Sequence, residues 1–174
     1  PFALTTSKSS FVLDSSSSLG EVMQTAIGQG KTQITPFHNA LIVATIANGG
    51  VLMKPYTVEE ITTEDGKRVV KSFAASKAGR LCSKKKADTI KSYMRAVVTE
   101  GTAKKLSWLG FDIYGKTGTA EYKKEDGTKG DHSWFMGFGE RNGKQIAISV
   151  VVEGEGRGNY TGVDVAGKVF ANWK

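Results

Sequence analysis

The chain has 174 residues, enough for one domain with a real core and too few for two comfortable ones. With 39% apolar and 24% charged residues it has a soluble globular composition. No run approaches the roughly 18 apolar residues of a membrane span, and a single cysteine, Cys82, excludes a disulfide framework or a cysteine-based metal site. A formal net charge of +7, clustered at Lys84-Lys85-Lys86, Lys104-Lys105 and Lys123-Lys124, admits nucleic acid, anionic lipid or an acidic polymer as partner. No nucleic-acid motif accompanies these lysines, so solvated faces are the simpler reading and no nucleic acid is expected.

Residues 1–17 are polar and serine-rich, an extended lead-in. A first helix follows over about 18–28, capped by Ser18, with Leu19, Val22, Met23, Ala26 and Ile27 at helical spacing. It runs into Gly28-Gln29-Gly30-Lys31-Thr32, whose last letters are those of a nucleotide-binding P-loop. That motif needs glycine where Thr25 stands, and it needs a strand before it. A helix C-terminus presents carbonyls, which repel phosphate, so the nucleotide reading falls.

A second helix spans 35–50, with Thr35 as N-cap, Pro36 in the first turn and Gly49-Gly50 as stop. It is apolar on most faces, which predicts a central buried helix. Residues 57–73 alternate around Asp65-Gly66, a hairpin signal. A third helix covers about 83–99, capped by Ser83, with Ile90, Tyr93, Met94, Val97 and Val98 as its buried stripe. A helical turn in "GTAKKL" ends the mainly helical region 18–109.

Beyond Gly110 the period changes to alternation. Strands are expected at 113–124, 132–140 and 144–154, the last two joined by Asn142-Gly143, a strong hairpin turn. A glycine-rich loop then leads to a last helix, 163–173. Helices, then antiparallel strands, then a returning helix make an α+β domain over 1–174. Neither His38 nor His132 has a neighbour at metal-ligand spacing, so neither metal nor cofactor is expected.

The chemistry is concentrated in "GKTGTA", 115–120. On a strand, Thr117 and Thr119 point to one face, where both hydroxyls can donate to one carboxylate. Gly118 leaves no side chain in the way of a peptide lying alongside, and Lys116 adds a charge that favours an anion. A plain surface strand with two β-forming threonines is the alternative.

Lys-Thr-Gly is one signature of the serine acyl-transferases that include penicillin-binding proteins and class A β-lactamases. The blocks "IGQGKTQITPFHNALIVATIANGG", "MKPY", "VVTEGTAKKL", "GKTGTAE", "HSWFMGFGE" and "IAISVVVEG" come in family order. Through them the chain resembles the C-terminal part of a class B penicillin-binding protein transpeptidase domain. The resemblance implies a β-lactamase/transpeptidase-like fold and a D,D-transpeptidase that cross-links peptidoglycan through a serine acyl-enzyme. Its partners would be D-Ala-D-Ala stem peptides and β-lactams. The site would lie on the outer face of the bacterial membrane, with any anchor outside this chain. By the same resemblance Lys116 belongs to the catalytic polar network, and Thr117, Gly118 and Thr119 bind substrate. The Thr119 backbone N–H supplies one oxyanion donor.

The family also needs Ser-x-x-Lys and Ser-x-Asn. No serine here has Asn two places on, and the one Ser-x-x-Lys match, Ser83-Lys84-Lys85-Lys86, reads as a helix cap. With Pro1 in place of an initiator Met, the expectation is one wall of a site, inactive alone and completed by an upstream half. His132 reads as structural, and Trp134, Phe135 and Phe138 as packing; Glu153 and Arg157 could border the cleft. A β-lactam sensor, a D,D-carboxypeptidase, a β-lactamase fragment and a basic polyanion-binding module stay open.

Overall fold

The computed structural model describes residues 5–154 and 160–174. The start of the lead-in and Arg157 lie outside the described residues. Three long strands, β5 (Asp112–Lys123), β6 (Lys129–Arg141) and β7 (Lys144–Val152), form an antiparallel sheet in the order β5-β6-β7. Asn142 (φ 52°) and Gly143 (φ 74°) make the tight β6–β7 turn, both in the left-handed region that this turn demands. Four short strands make two separate antiparallel pairs, β1 (Val51–Met53) with β4 (Lys77–Arg80) and β2 (Glu60–Thr62) with β3 (Val69–Ser72). The β2–β3 pair is the hairpin expected around Asp65-Gly66.

Among the described residues there are also four helices, α1 (Leu19–Ala26), α2 (Pro36–Ala47), α3 (Lys84–Thr99) and α4 (Gly162–Asn172), with a 3₁₀ helix at Lys104–Leu109. Their starts are written locally. The Ser18 hydroxyl accepts from Glu21 N–H and the Glu21 carboxylate returns to Ser18, a capping box; Thr35 and Ser83 cap α2 and α3.

The sheet has a core on each face. Ile113 and Phe135 lie with Val98, Ala103, Leu106, Val163, Ala166 and Phe170, under the end of α3, the 3₁₀ helix and α4. Phe138 lies with Val43, Ile46 and Met94, under α2 and α3, and Tyr114 stacks on it at 4.6 Å. Helix α3 therefore passes from one face to the other, Met94 in one core and Val98 in the other. The first core needs two glycines: a Cβ on Gly115 would stand 2.5 Å from the Phe135 ring, and one on its partner Gly137 2.8 Å.

One expectation changes, and two features were not legible in the sequence. Helix α1 forms, but none of its residues is buried; Leu19, Met23 and Ile27 are 75%, 62% and 77% exposed. Periodicity reports an apolar face without saying what covers it. On α3 the buried positions are Ala87, Met94 and Val98, while Ile90 and Tyr93 are exposed. The helix is turned so that Lys91 reaches Glu140, at 2.7 Å, over the Tyr114 ring. The β1–β4 pair went unread because strands this short carry no period; it packs where Gly50 lies against the Cys82 backbone.

Candidate active site

Strand β5 is an edge strand: β6 lies on one side of it, and among the described residues no strand lies on the other. The carbonyls of Ile113, Thr117 and Thr119 accept from Arg95, Lys116 and Gln29 side chains, at 3.1, 2.6 and 2.9 Å. These odd-numbered carbonyls thus turn away from β6. In an antiparallel strand the N–H of a residue points the same way as its C=O. The Thr117 and Thr119 N–H groups accordingly face the open edge.

Helix α3 occupies only the beginning of that edge. Arg95 binds the Ile113 carbonyl and pairs with Asp112 at 3.1 Å. One turn back, Lys91 and Gln145 hold Glu140, the residue paired with Asp112. Burial pushes the Glu140 carboxyl up, but these hydrogen bonds outweigh it and hold the group below its ordinary value. Burial first, then the charges of Glu140 and Asp112, pushes the Tyr114 phenol up to about 12. This network fixes the root of β5 and leaves Lys116–Thr119 beyond the end of the helix.

The four residues singled out in the sequence stand consecutively on that open stretch. Thr117 and Thr119 share the face of Phe135 and Ser133, their cross-strand partners. Lys116 lies on the opposite face, and its ammonium returns to the edge at the Thr117 carbonyl. Thr117 is half-buried and Thr119 exposed. Gly118 is not demanded by packing: a Cβ there would meet only Trp134 Cβ, at 3.4 Å, and its φ is not positive. That contrasts with Gly115, three residues earlier.

Two further residues reach this stretch and were read in the sequence only as parts of the run that ends the first helix and of a helical turn. The Thr102 hydroxyl lies 2.6 Å from the Thr117 hydroxyl. Gln29, from the loop between α1 and α2, donates to the Thr119 carbonyl. Their one signal was membership in the blocks "GTAKKL" and "GQGKT"; nothing local tells which side chain points at β5.

Ser83 does not join the site. Its hydroxyl accepts from Lys86 N–H at 3.3 Å, at the start of a 16-residue helix whose far end leads to Thr102. That helix is about 24 Å long at 1.5 Å per residue. His132 is a packing residue: it stacks on Tyr122 at 4.2 Å and its Nδ1 accepts from Gly154 N–H at 3.2 Å. Phe135 and Phe138 are fully buried, Trp134 half-buried and Glu153 exposed. The lysine clusters stand apart, at the start of α3, on the 3₁₀ helix and at the β5–β6 turn. Among the described residues no group of three His, Cys, Asp or Glu is placed to hold a metal.

The family model for the penicillin-binding protein transpeptidase domain matches residues 1–173. Peptidoglycan D,D-transpeptidase PbpA of Mycolicibacterium smegmatis is 33% identical over 131 residues, 75% of this chain and 26% of that protein. Stage V sporulation protein D of Bacillus subtilis is 30% identical over 136 residues, 76% of this chain and 21% of its own length. Among solved structures, PBPA from Mycobacterium tuberculosis superposes with a TM-score of 0.71 at 30% identity, covering 85% of this chain and 35% of that one. The ceftriaxone acyl-enzyme complex of the same protein gives 0.72 at 32% identity, covering 85% and 33%. The chain thus spans about a quarter of the length of the curated relatives it matches.

Proposed function

The chain belongs to the penicillin-binding protein transpeptidase domain family, and from that premise we propose that it forms the Lys-Thr-Gly wall of the active site of a longer D,D-transpeptidase. The enzyme joins peptidoglycan stem peptides on the outer face of the membrane. A serine outside residues 1–174 attacks the penultimate D-Ala carbonyl, terminal D-Ala leaves, and an amine takes the acyl group. A β-lactam enters the same site and stays as a slowly hydrolysed acyl-enzyme.

The observation that carries this reading is the open edge of β5. An extended peptide can lie along it, with the Thr119 carbonyl as acceptor and the Thr117 and Thr119 N–H groups as donors. The Thr119 N–H then helps hold the oxyanion that develops on the attacked carbonyl, and loss of one such donor costs roughly 10²–10³ in rate. The Thr117 and Thr119 hydroxyls bind the terminal carboxylate. Because the Thr117 hydroxyl can accept from Thr102, its own proton is free for that anion. Lys116 supplies positive charge at the same edge and joins the network that manages the serine's proton. Gly118 lets the ligand backbone come close, which fits a glycine that the core does not require.

The test is acylation of the full-length protein by benzylpenicillin, followed by intact mass. A single adduct is expected, on a serine outside these 174 residues, and Lys116→Ala should slow its formation by at least ~10²-fold. An adduct on Ser83, or none on folded protein, overturns the reading.

A further inference from the structure

We infer that Gln29 is a displaceable cap on the ligand-binding edge, an internal competitor whose amide holds the Thr119 carbonyl until an incoming amide N–H replaces it. The inference rests on the transpeptidase reading above and adds a residue that selects among ligands.

Three observations lead to it. The first is the bond itself: Gln29 Nε2 donates to the Thr119 carbonyl at 2.9 Å, across 90 residues of sequence, and the bond is solvent-exposed. The acceptor faces the open edge, so this is the bond that the first N–H of an added strand would make. Two donors cannot both take that carbonyl in the plane of the strand without crowding.

The second is the loop. Gly28 (φ 79°) and Gly30 (φ 87°) flank Gln29 in the left-handed region, a conformation that costs most other residues strain. The two glycines turn the backbone twice and leave the amide aimed at β5. Helix α1, which precedes the loop, buries none of its residues. No core packing therefore has to be broken when the side chain turns away.

The third is selectivity along the edge. The Ile113 carbonyl is held by Arg95, whose guanidinium is also tied to Asp112 and lies 5.9 Å from the Tyr114 ring. That contact belongs to the root of the strand. The Thr119 carbonyl is held by a neutral, exposed amide. A neutral, exposed hydrogen bond is worth little net in water and exchanges readily for another of the same kind. The edge thus stays covered when empty, which limits pairing with stray chains, and opens to a ligand that brings its own N–H.

A ligand without that N–H gains nothing by displacing Gln29. The cap therefore favours acylamino ligands only by the difference between two similar bonds. Its removal should leave the acceptor free and raise that preference.

The experiment uses the full-length protein, wild type, Gln29→Ala and Gln29→Met. Second-order acylation rates are measured by time-resolved intact mass with benzylpenicillin, which carries an acylamino N–H, and with penicillanic acid, which lacks one. The expected result is a rise in the ratio of the two rates of about threefold to tenfold in both variants, the worth of one exposed hydrogen bond. An unchanged or lowered ratio in either variant overturns the cap, while acylation of the wild type in the same experiment leaves the transpeptidase reading standing. A wild type that benzylpenicillin does not acylate overturns the transpeptidase reading and the cap with it. A general folding defect slows both ligands alike and leaves the ratio at its wild-type value, which also counts against the cap.

Discussion

Gly115 and Gly118 lie three residues apart on one strand, yet packing demands glycine only at the first. A Cβ on Gly115 would stand 2.5 Å from both Cε2 and Cζ of Phe135. Ordinary carbon contacts are about 3.5–4.0 Å, so the methyl overlaps the ring by about 1.0–1.5 Å. Phe135 is fully buried among Val98, Leu106, Val163 and Phe170 and has nowhere to retreat. Gly115→Ala should therefore destabilise the fold by about 1–3 kcal/mol. With an m-value of about 2 kcal/mol/M, the urea midpoint would fall by about 0.5–1.5 M.

Gly118→Ala places its methyl 3.4 Å from Trp134 Cβ, in ordinary contact, with a backbone any residue can adopt. Its stability should change by no more than about 0.5 kcal/mol, toward greater stability, because alanine narrows the unfolded ensemble. The cost should appear in function, as an acylation rate about tenfold lower where the methyl meets the ligand. The assay is a urea titration followed by tryptophan fluorescence, with benzylpenicillin acylation of the full-length variants beside it. Equal midpoints for the two variants, or a Gly118→Ala protein acylated at the wild-type rate, would refute the division between a packing glycine and a binding glycine.

Thr102→Val removes the hydroxyl 2.6 Å from Thr117 and should lower the acylation rate about tenfold. Thr102→Ser should restore most of it; equal rates for Val and Ser would deny the hydroxyl a role. Lys91→Met strips Glu140 of its ion pair at 2.7 Å, with both side chains about one-quarter exposed, and should cost about 1–2 kcal/mol at neutral pH. Adding Glu140→Gln should recover much of that loss, a coupling that a double-mutant cycle reads directly. The Thr161 N–H and hydroxyl, then Lys105, hold the Asp164 carboxyl down from 3.8 to about 2. A depressed folded pKa stabilises the native state above about pH 4 and loses that contribution as pH falls toward 2. Asp164→Asn should flatten that part of the acid limb in a pH series of thermal midpoints, and an unchanged limb would refute the assignment.

Much of the fold was legible in short stretches. Ser18, Thr35 and Ser83 announced three helix starts because a cap is a bond between residues three apart. Asn142-Gly143 announced the β6–β7 turn because both residues must take positive φ. Alternation beyond Gly110 gave the three long strands, and "GKTGTA" gave the stretch of β5 where Lys116, Thr117, Gly118 and Thr119 stand together. Each of these signals is complete within a few residues.

The remainder depended on partners far away in the chain. Leu19, Met23 and Ile27 recur at helical spacing, yet only the packed molecule shows that they stay mostly exposed among the described residues. The rotation of α3 that exposes Tyr93 is set by Lys91 reaching Glu140, 49 residues on. The proposed site is divided in the same way. Its residue types and spacing lie in six consecutive letters, whereas the free edge, the Thr102 hydroxyl and the Gln29 amide arrive from elements 15 and 90 residues distant. A strand carries its side-chain pattern wherever it lies; whether its edge is paired, capped or open is decided by which neighbours the tertiary fold sets beside it.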